Sequence, residues 1–133
     1  MADVKVRYIN PDSLAVPRGY SHVVETSGGR TIYVAGQVAL DQTGHVVGLG
    51  NFEAQAEQVF KNLRTALAAV GGDLSNIVKT TTFIRNMSAN LPVLRKIRER
   101  YLSPAPANTL IEISSLVMDE LLLESEAVAV VPN

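Results

Sequence analysis

The chain has 133 residues, 47% of them apolar and 19% charged, and a net charge of -1. That balance fits one globular domain able to bury a real core and excludes a disordered chain. With no cysteine there are no disulfides, thiolate nucleophiles or cysteine metal sites, and no basic block suggests nucleic-acid binding.

Met1 to Lys5 contains no apolar signal core, and the longest apolar runs fall short of a membrane span, so a cytoplasmic protein is the expectation. Val4, Val6 and Tyr8 alternate with Lys5, Arg7 and Ile9 as a first strand, stopped by Asn10 to Ser13. A loop through Pro17, Arg18 and Gly19 leads into a strand from Tyr20 to Glu25. Gly28-Gly29 then reads as the turn of a hairpin with the β-branched strand Thr31–Ala35. Gly36 and Gln37 close that strand, where a glycine permits close approach by a ligand or another chain. Asp41 to Gly44 form a turn before His45-Val46-Val47.

The clearest element is a helix capped by Asn51, with Glu53 in its first turn and Phe52, Ala56, Val59, Phe60, Leu63, Ala66, Leu67 and Val70 at helical spacing. Gly71-Gly72 end it. Ile77–Ile84 is a strand carrying Thr80, Thr81 and Thr82. Ser88–Asn90 reads as loop, with Pro92 in the first turn of a second helix whose stripe is Val93, Leu94, Ile97 and Tyr101. Pro104 and Pro106 block its extension. Two apolar runs, Pro106–Ile113 and Leu121–Val131, read as closing strands joined by a short loop. There is no repeat, linker or second domain, so residues 1–133 form one unit.

The last strand holds the main chemical signal. Glu124 and Glu126 lie two apart and share a strand face with Leu122, Val128 and Val130, while Leu123, Ser125, Ala127, Ala129 and Val131 take the other. A carboxylate on an apolar face is unfavourable unless paired or hydrogen-bonded, which makes both glutamates candidates for a ligand site. The competing reading is a sheet edge or an intersubunit salt bridge. The fold class is α+β, with about six strands and two helices. Two helices cover one face of such a sheet, yet several strands look apolar on both, so further copies of the chain are the expected cover.

The runs Tyr20-Ser21-His22-Val23-Val24, Ile32 to Gln37, Val78 to Ile84, Pro106 to Ile113 and Glu124 to Val130, in that order, resemble the Rid family of reactive-intermediate imine/enamine deaminases, also described as endoribonuclease L-PSP-like. The resemblance implies a chorismate-mutase-like fold, a homotrimeric barrel and a small ligand in each intersubunit cleft, with no cofactor. Active members hydrolyse enamine/imine intermediates to a 2-keto acid and ammonia. Carried over by position, the family glutamate is Glu124, as the catalytic residue, and the substrate-binding residues are Tyr20 and the strand end Ala35, Gly36 and Gln37. The carboxylate-clamping arginine of the Pro-Ala-Arg motif is replaced here by Asn108. Leu94 stands where active members carry a site asparagine, and Arg18-Gly19 stand where many have Gly-Pro.

Asn108 offers neutral donors and an acceptor in place of a charged fork. Losing that charge weakens carboxylate binding by about one to two orders of magnitude, from the difference between charged and neutral hydrogen bonds. Arg18 is the candidate substitute cation, against a reading as an exposed loop arginine, and Arg85 is a weaker one. His22 and His45 stand alone, so no metal is expected. Ser21 has no evident base. Three functions compete: an imine hydrolase with Glu124 as general base, a non-catalytic binding trimer favoured by Asn108, and an RNA-cleaving protein disfavoured by the charge.

Overall fold

A computed structural model describes residues 3–133; Met1 and Ala2, read above with the N-terminal segment, lie outside the described residues. The elements are β1 (Lys5–Ile9), β2 (Val23–Ser27), β3 (Arg30–Gln37), α1 (Phe52–Ala68), a 3-10 turn (Leu74–Asn76), β4 (Ile77–Ile84), α2 (Met87–Tyr101), β5 (Ala107–Glu112) and β6 (Leu123–Val131). The fold is α+β. Its six strands divide into a two-stranded sheet, β1-β2, and a four-stranded mixed sheet ordered β3-β6-β4-β5.

Two strand pairings differ from the sequence reading. The Gly28-Gly29 turn is present, both residues near φ +77, but β2 pairs with β1 and β3 pairs with β6. A Cβ on Gly29 would lie 2.6 Å from Val4 Cγ2 and 2.8 Å from the Val131 carbonyl. The turn therefore packs against the end of β6 instead of closing a ladder. Nor do β5 and β6 pair with each other: both flank β4, β5 in parallel and β6 antiparallel. Turn chemistry marks where a chain reverses, but the choice of partner strand is made by long-range packing.

Helix α1 begins where its cap chemistry dictates. The Asn51 carboxamide oxygen accepts the Ala54 N–H at 3.0 Å, and the Gly72 N–H donates to the Leu67 carbonyl at 2.9 Å as the helix ends. Helix α2 starts at Met87, five residues before Pro92, so Ser88–Asn90 are helical. Its cap comes from a distant strand: Glu112 of β5 accepts the Met87 N–H at 2.8 Å. A carboxylate there also favours the positive end of the helix dipole. No local signal could have revealed it.

Both helices contribute to one core on a single side of the four-stranded sheet. Val59, Leu63, Leu67, Leu94 and Ile97 are buried there with Ile84, Leu123, Ala127 and Ala129 of the sheet. The opposite face is open: Tyr33 is 80% exposed, and beside it lie Val128, Lys79, Thr81 and Glu126, around a shallow pocket of about 150 Å³. Among the described residues no helix is long and apolar enough to cross a membrane.

One buried polar side chain ties the helical layer to the approach of β6. Gln55 is fully buried. Its amide nitrogen donates to the carbonyls of Glu120 at 2.9 Å and Gly48 at 3.2 Å, and its oxygen accepts the Leu122 N–H at 2.8 Å. Replacing it by alanine strands three backbone groups in a dry interior. Gln55→Ala is expected to cost about 2–4 kcal/mol, read as a lowered urea midpoint; a midpoint unchanged from wild type would contradict this role.

Candidate functional site

The residues expected to form a site fall into two clusters. The first lies at the end of β3. The β3–β6 register slips between Val34 and Gln37, a bulge that re-aims the backbone at Ala35 and Gly36. Ala35 and Gly36 are exposed and Gln37 is half-buried, its amide donating to the Ala35 carbonyl at 3.1 Å. Glu124 folds across this bulge. A Cβ on Gly36 would stand 2.2 Å from Glu124 Oε1 and 2.9 Å from its carboxyl carbon. The glycine is thus the seat of the carboxylate. Glu124 is half-buried, whereas Glu126 is exposed, so the two glutamates that the strand pattern left equivalent are distinguished by the bulge. Beside Gly36 and Gln37 opens a groove of about 740 Å³, walled further by Asp41, Gln58 and Asn62.

The second cluster lies at the start of β5. Ser21 bridges Ala107 in parallel, its N–H donating to the Pro106 carbonyl at 2.9 Å and its hydroxyl to the Ala105 carbonyl at 2.6 Å. These bonds fix the segment carrying Arg18, Gly19 and Tyr20 beside Asn108. The Tyr20 ring meets His22 edge-on at 5.2 Å, and the His22 imidazole bonds the Ala15 carbonyl at 2.6 Å. His45 contacts the Thr43 hydroxyl. In the amide orientation that satisfies all its neighbours, Asn108 donates to Thr80 Oγ1 at 2.7 Å and to the Thr80 carbonyl at 3.2 Å. Its oxygen then accepts from Arg98 Nη1 at 3.2 Å.

The cation next to Asn108 therefore comes from α2. Arg18 has an exposed side chain, and its carbonyl accepts from Arg98 Nη2 at 3.4 Å. Arg85 is occupied elsewhere, donating to the Asp119 carbonyl at 2.5 Å. Arg98 is only 5% exposed. Burial, followed by the nearby Arg95, lowers the pKa of its guanidinium, with Glu99 acting in the opposite sense; a guanidinium stays charged all the same. Sequence reasoning missed Arg98, although a signal existed: it stands four residues after Leu94 and directly after Ile97, inside the buried stripe. Leu94 itself is core.

The two clusters do not meet within one chain. Glu124 pairs with Phe83 on the open face. Asn108 pairs with Thr80, whose side chain is buried on the helix-covered face with Thr82 and Ser125. The sheet itself stands between them.

The chain as a whole is similar to known proteins. The family model for endoribonuclease L-PSP matches residues 11–131. A RutC family protein of Synechocystis is 37% identical over 117 residues, covering 86% of this chain and 87% of that protein. The mouse protein named 2-iminobutanoate/2-iminopropanoate deaminase is 34% identical over 112 residues, covering 84% and 80%. A crystal structure of YyfB, a conserved Rid family protein from Yersinia pestis, superposes with a TM-score of 0.85 at 36% identity, over 95% of this chain and 98% of that one.

Because the group that crowds Gly36 is the free end of a side chain and not backbone, Gly36→Ala is expected to fold with a stability change under about 1 kcal/mol. The cost falls on Glu124, whose carboxylate must leave its seat. A crystal structure of the variant should show a changed Glu124 rotamer; Glu124 in its original place over an intact bulge would refute this packing.

Proposed function

This chain belongs to the endoribonuclease L-PSP family, which embraces the Rid and RutC proteins, and from that premise we propose that it is a cytoplasmic, self-associating hydrolase of small imines and enamines. The observation that carries the reading is Glu124, half-buried and seated on Gly36 at a strand end that opens onto a groove. Relatives named 2-iminobutanoate/2-iminopropanoate deaminase support the reaction class.

In the proposed reaction a water held by Glu124 attacks the imine carbon. The carboxylate takes the proton from water as the new C–O bond forms, and the C=N electron pair moves to nitrogen, which takes that proton from the Glu124 carboxyl. The amino alcohol then collapses: its hydroxyl proton passes through Glu124 to nitrogen, the C–N bond breaks, ammonia leaves and the carbonyl forms. An enamine enters after protonation at carbon to its imine. A positioned carboxylate in such a role typically contributes about 10² to 10⁴-fold. Backbone groups of the Ala35–Gln37 bulge and the Tyr20 hydroxyl hold the substrate.

Self-association follows from the same geometry. Glu124 and the Tyr20–Asn108 cluster lie on opposite faces of one sheet, so a cleft built from both takes its halves from two copies. The uncovered face, where Tyr33 and Val128 stand among Lys79, Thr81 and Glu126, supplies the surface for that contact. A ring of three copies, as the family resemblance implies, would bury all such faces inward.

Asn108 favours a second reading, a binding protein for a small metabolite without turnover, since the charged clamp of active relatives is missing at that position. RNA cleavage ranks below both: a net charge of -1 gives little attraction for a phosphate backbone.

Imines generated in situ by an amino-acid oxidase separate the first two. The hydrolase reading expects faster release of keto acid and ammonia, with Glu124→Gln lowering kcat by about 10² to 10⁴-fold. No acceleration by the wild-type chain, for carboxylated and uncarboxylated imines alike, would eliminate it.

A further inference from the structure

Arg98 is a buried cation without a counter-ion. It is 5% exposed, and the ion pairs among the described residues, Arg7–Glu25 and Arg100–Glu57, do not include it. A charge held out of water is strongly unfavourable unless paired or well hydrogen-bonded. Its bonds are few and long: 3.2 Å to the Asn108 oxygen and 3.4 Å to the Arg18 carbonyl. Its Nε–H has no partner at all, and neither does the buried Nε–H of Arg95, one turn earlier on α2. A guanidinium fork has five N–H donors and matches a carboxylate through two of them. Here it is two-fifths used.

The surroundings are shaped around this fork. Gly19 lies at φ +77, and a Cβ there would come within 2.9 Å of Arg98 Nη2. Any side chain at that position would collide with the guanidinium. The loop backbone at Gly19, directly followed by Tyr20, therefore lies against the guanidinium. A guanidinium that served only to hold the loop would make short bonds to its carbonyls.

We infer that Arg98, delivered from α2 to the place beside Asn108, is the residue of this chain that takes the carboxylate of a small acid such as the 2-imino acids in its relatives' names. The carboxylate takes the free Nε–H together with the Nη2–H, replacing the long bond to the Arg18 carbonyl. Asn108 acts as a positioning residue, fixing the fork through Nη1 while Thr80 anchors its amide. This inference rests on the proposed reading of the cleft as an imine site, and it adds the residue that holds the anion.

The test uses 2-oxobutanoate and its neutral amide as probes of the full-length protein, without turnover. The carboxylate, and not the amide, is expected to raise the Tm and to shift the Nε–H resonance of Arg98 in an arginine-labelled sample. Arg98→Lys identifies that resonance by its loss and should weaken 2-oxobutanoate about tenfold or more, since a point charge cannot reproduce the bidentate fork. Adding Asn108→Arg to Arg98→Gln should restore binding, which a purely structural role for Arg98 would not allow. Binding of the acid with the Arg98 resonance unmoved, equal response to acid and amide, or no response to either would each overturn the inference. If the variants fail to fold, the wild-type resonance alone decides. Binding as described without imine hydrolysis would sink the catalytic reading and leave this one standing.

Discussion

A β-strand sends successive side chains to opposite faces, and the four-stranded sheet is covered by helices on one of them. These two constraints decide where chemistry can be assembled. On the covered face, Thr80, Thr82 and Ser125 line a buried polar strip that ends at Asn108 and the fork of Arg98. On the open face, Glu124 reaches across Gly36 at the β3 bulge. Glu124 and Arg98 thus lie on opposite sides of the sheet. In the proposed assembly the two groups are brought to one cleft from sister copies.

The electrostatics follow the same division. The carboxylate of Glu124 is only half-buried, on the face that no helix covers, which suits a group that handles a water proton. The guanidinium sits where water is excluded, so its attraction for an anion is little screened. Asn108 is neutral, but the covered face is not. The positive charge is present on α2 instead, with the asparagine as its hydrogen-bonded neighbour.

Much of the fold was legible because local chemistry fixed it. Asn51, Glu53 and the Gly71-Gly72 pair bounded α1, and the β-branched run from Ile77 to Ile84 gave β4 at its observed limits. The alternation in β6 separated the glutamates from Leu123, Ser125, Ala127, Ala129 and Val131, and those five are the buried side. Strand partners were not legible. Gly28-Gly29 signals a reversal, but the partner of β3 lies at the far end of the chain. The start of α2 was hidden because Glu112 caps it from another strand. Within the site, pattern alone could not tell Glu124 from Glu126, since the bulge that distinguishes them belongs to β3. Arg98 drew no attention because arginine is seldom buried and the residues after it, Glu99 and Arg100, are exposed.

Subunit complementation tests most directly the claim that one working cleft joins two copies. Glu124→Gln damages the open-face half, and Tyr20→Phe together with Arg98→Gln damages the covered-face half. Each set is close to inactive by itself. Co-expressed in equal amounts, the two should recover about a quarter of the wild-type rate, the share of random pairings that bring two intact halves together across an interface. A mixed assembly that forms but stays as inactive as its parents would contradict the account, because it would mean that every group the reaction needs lies within a single chain.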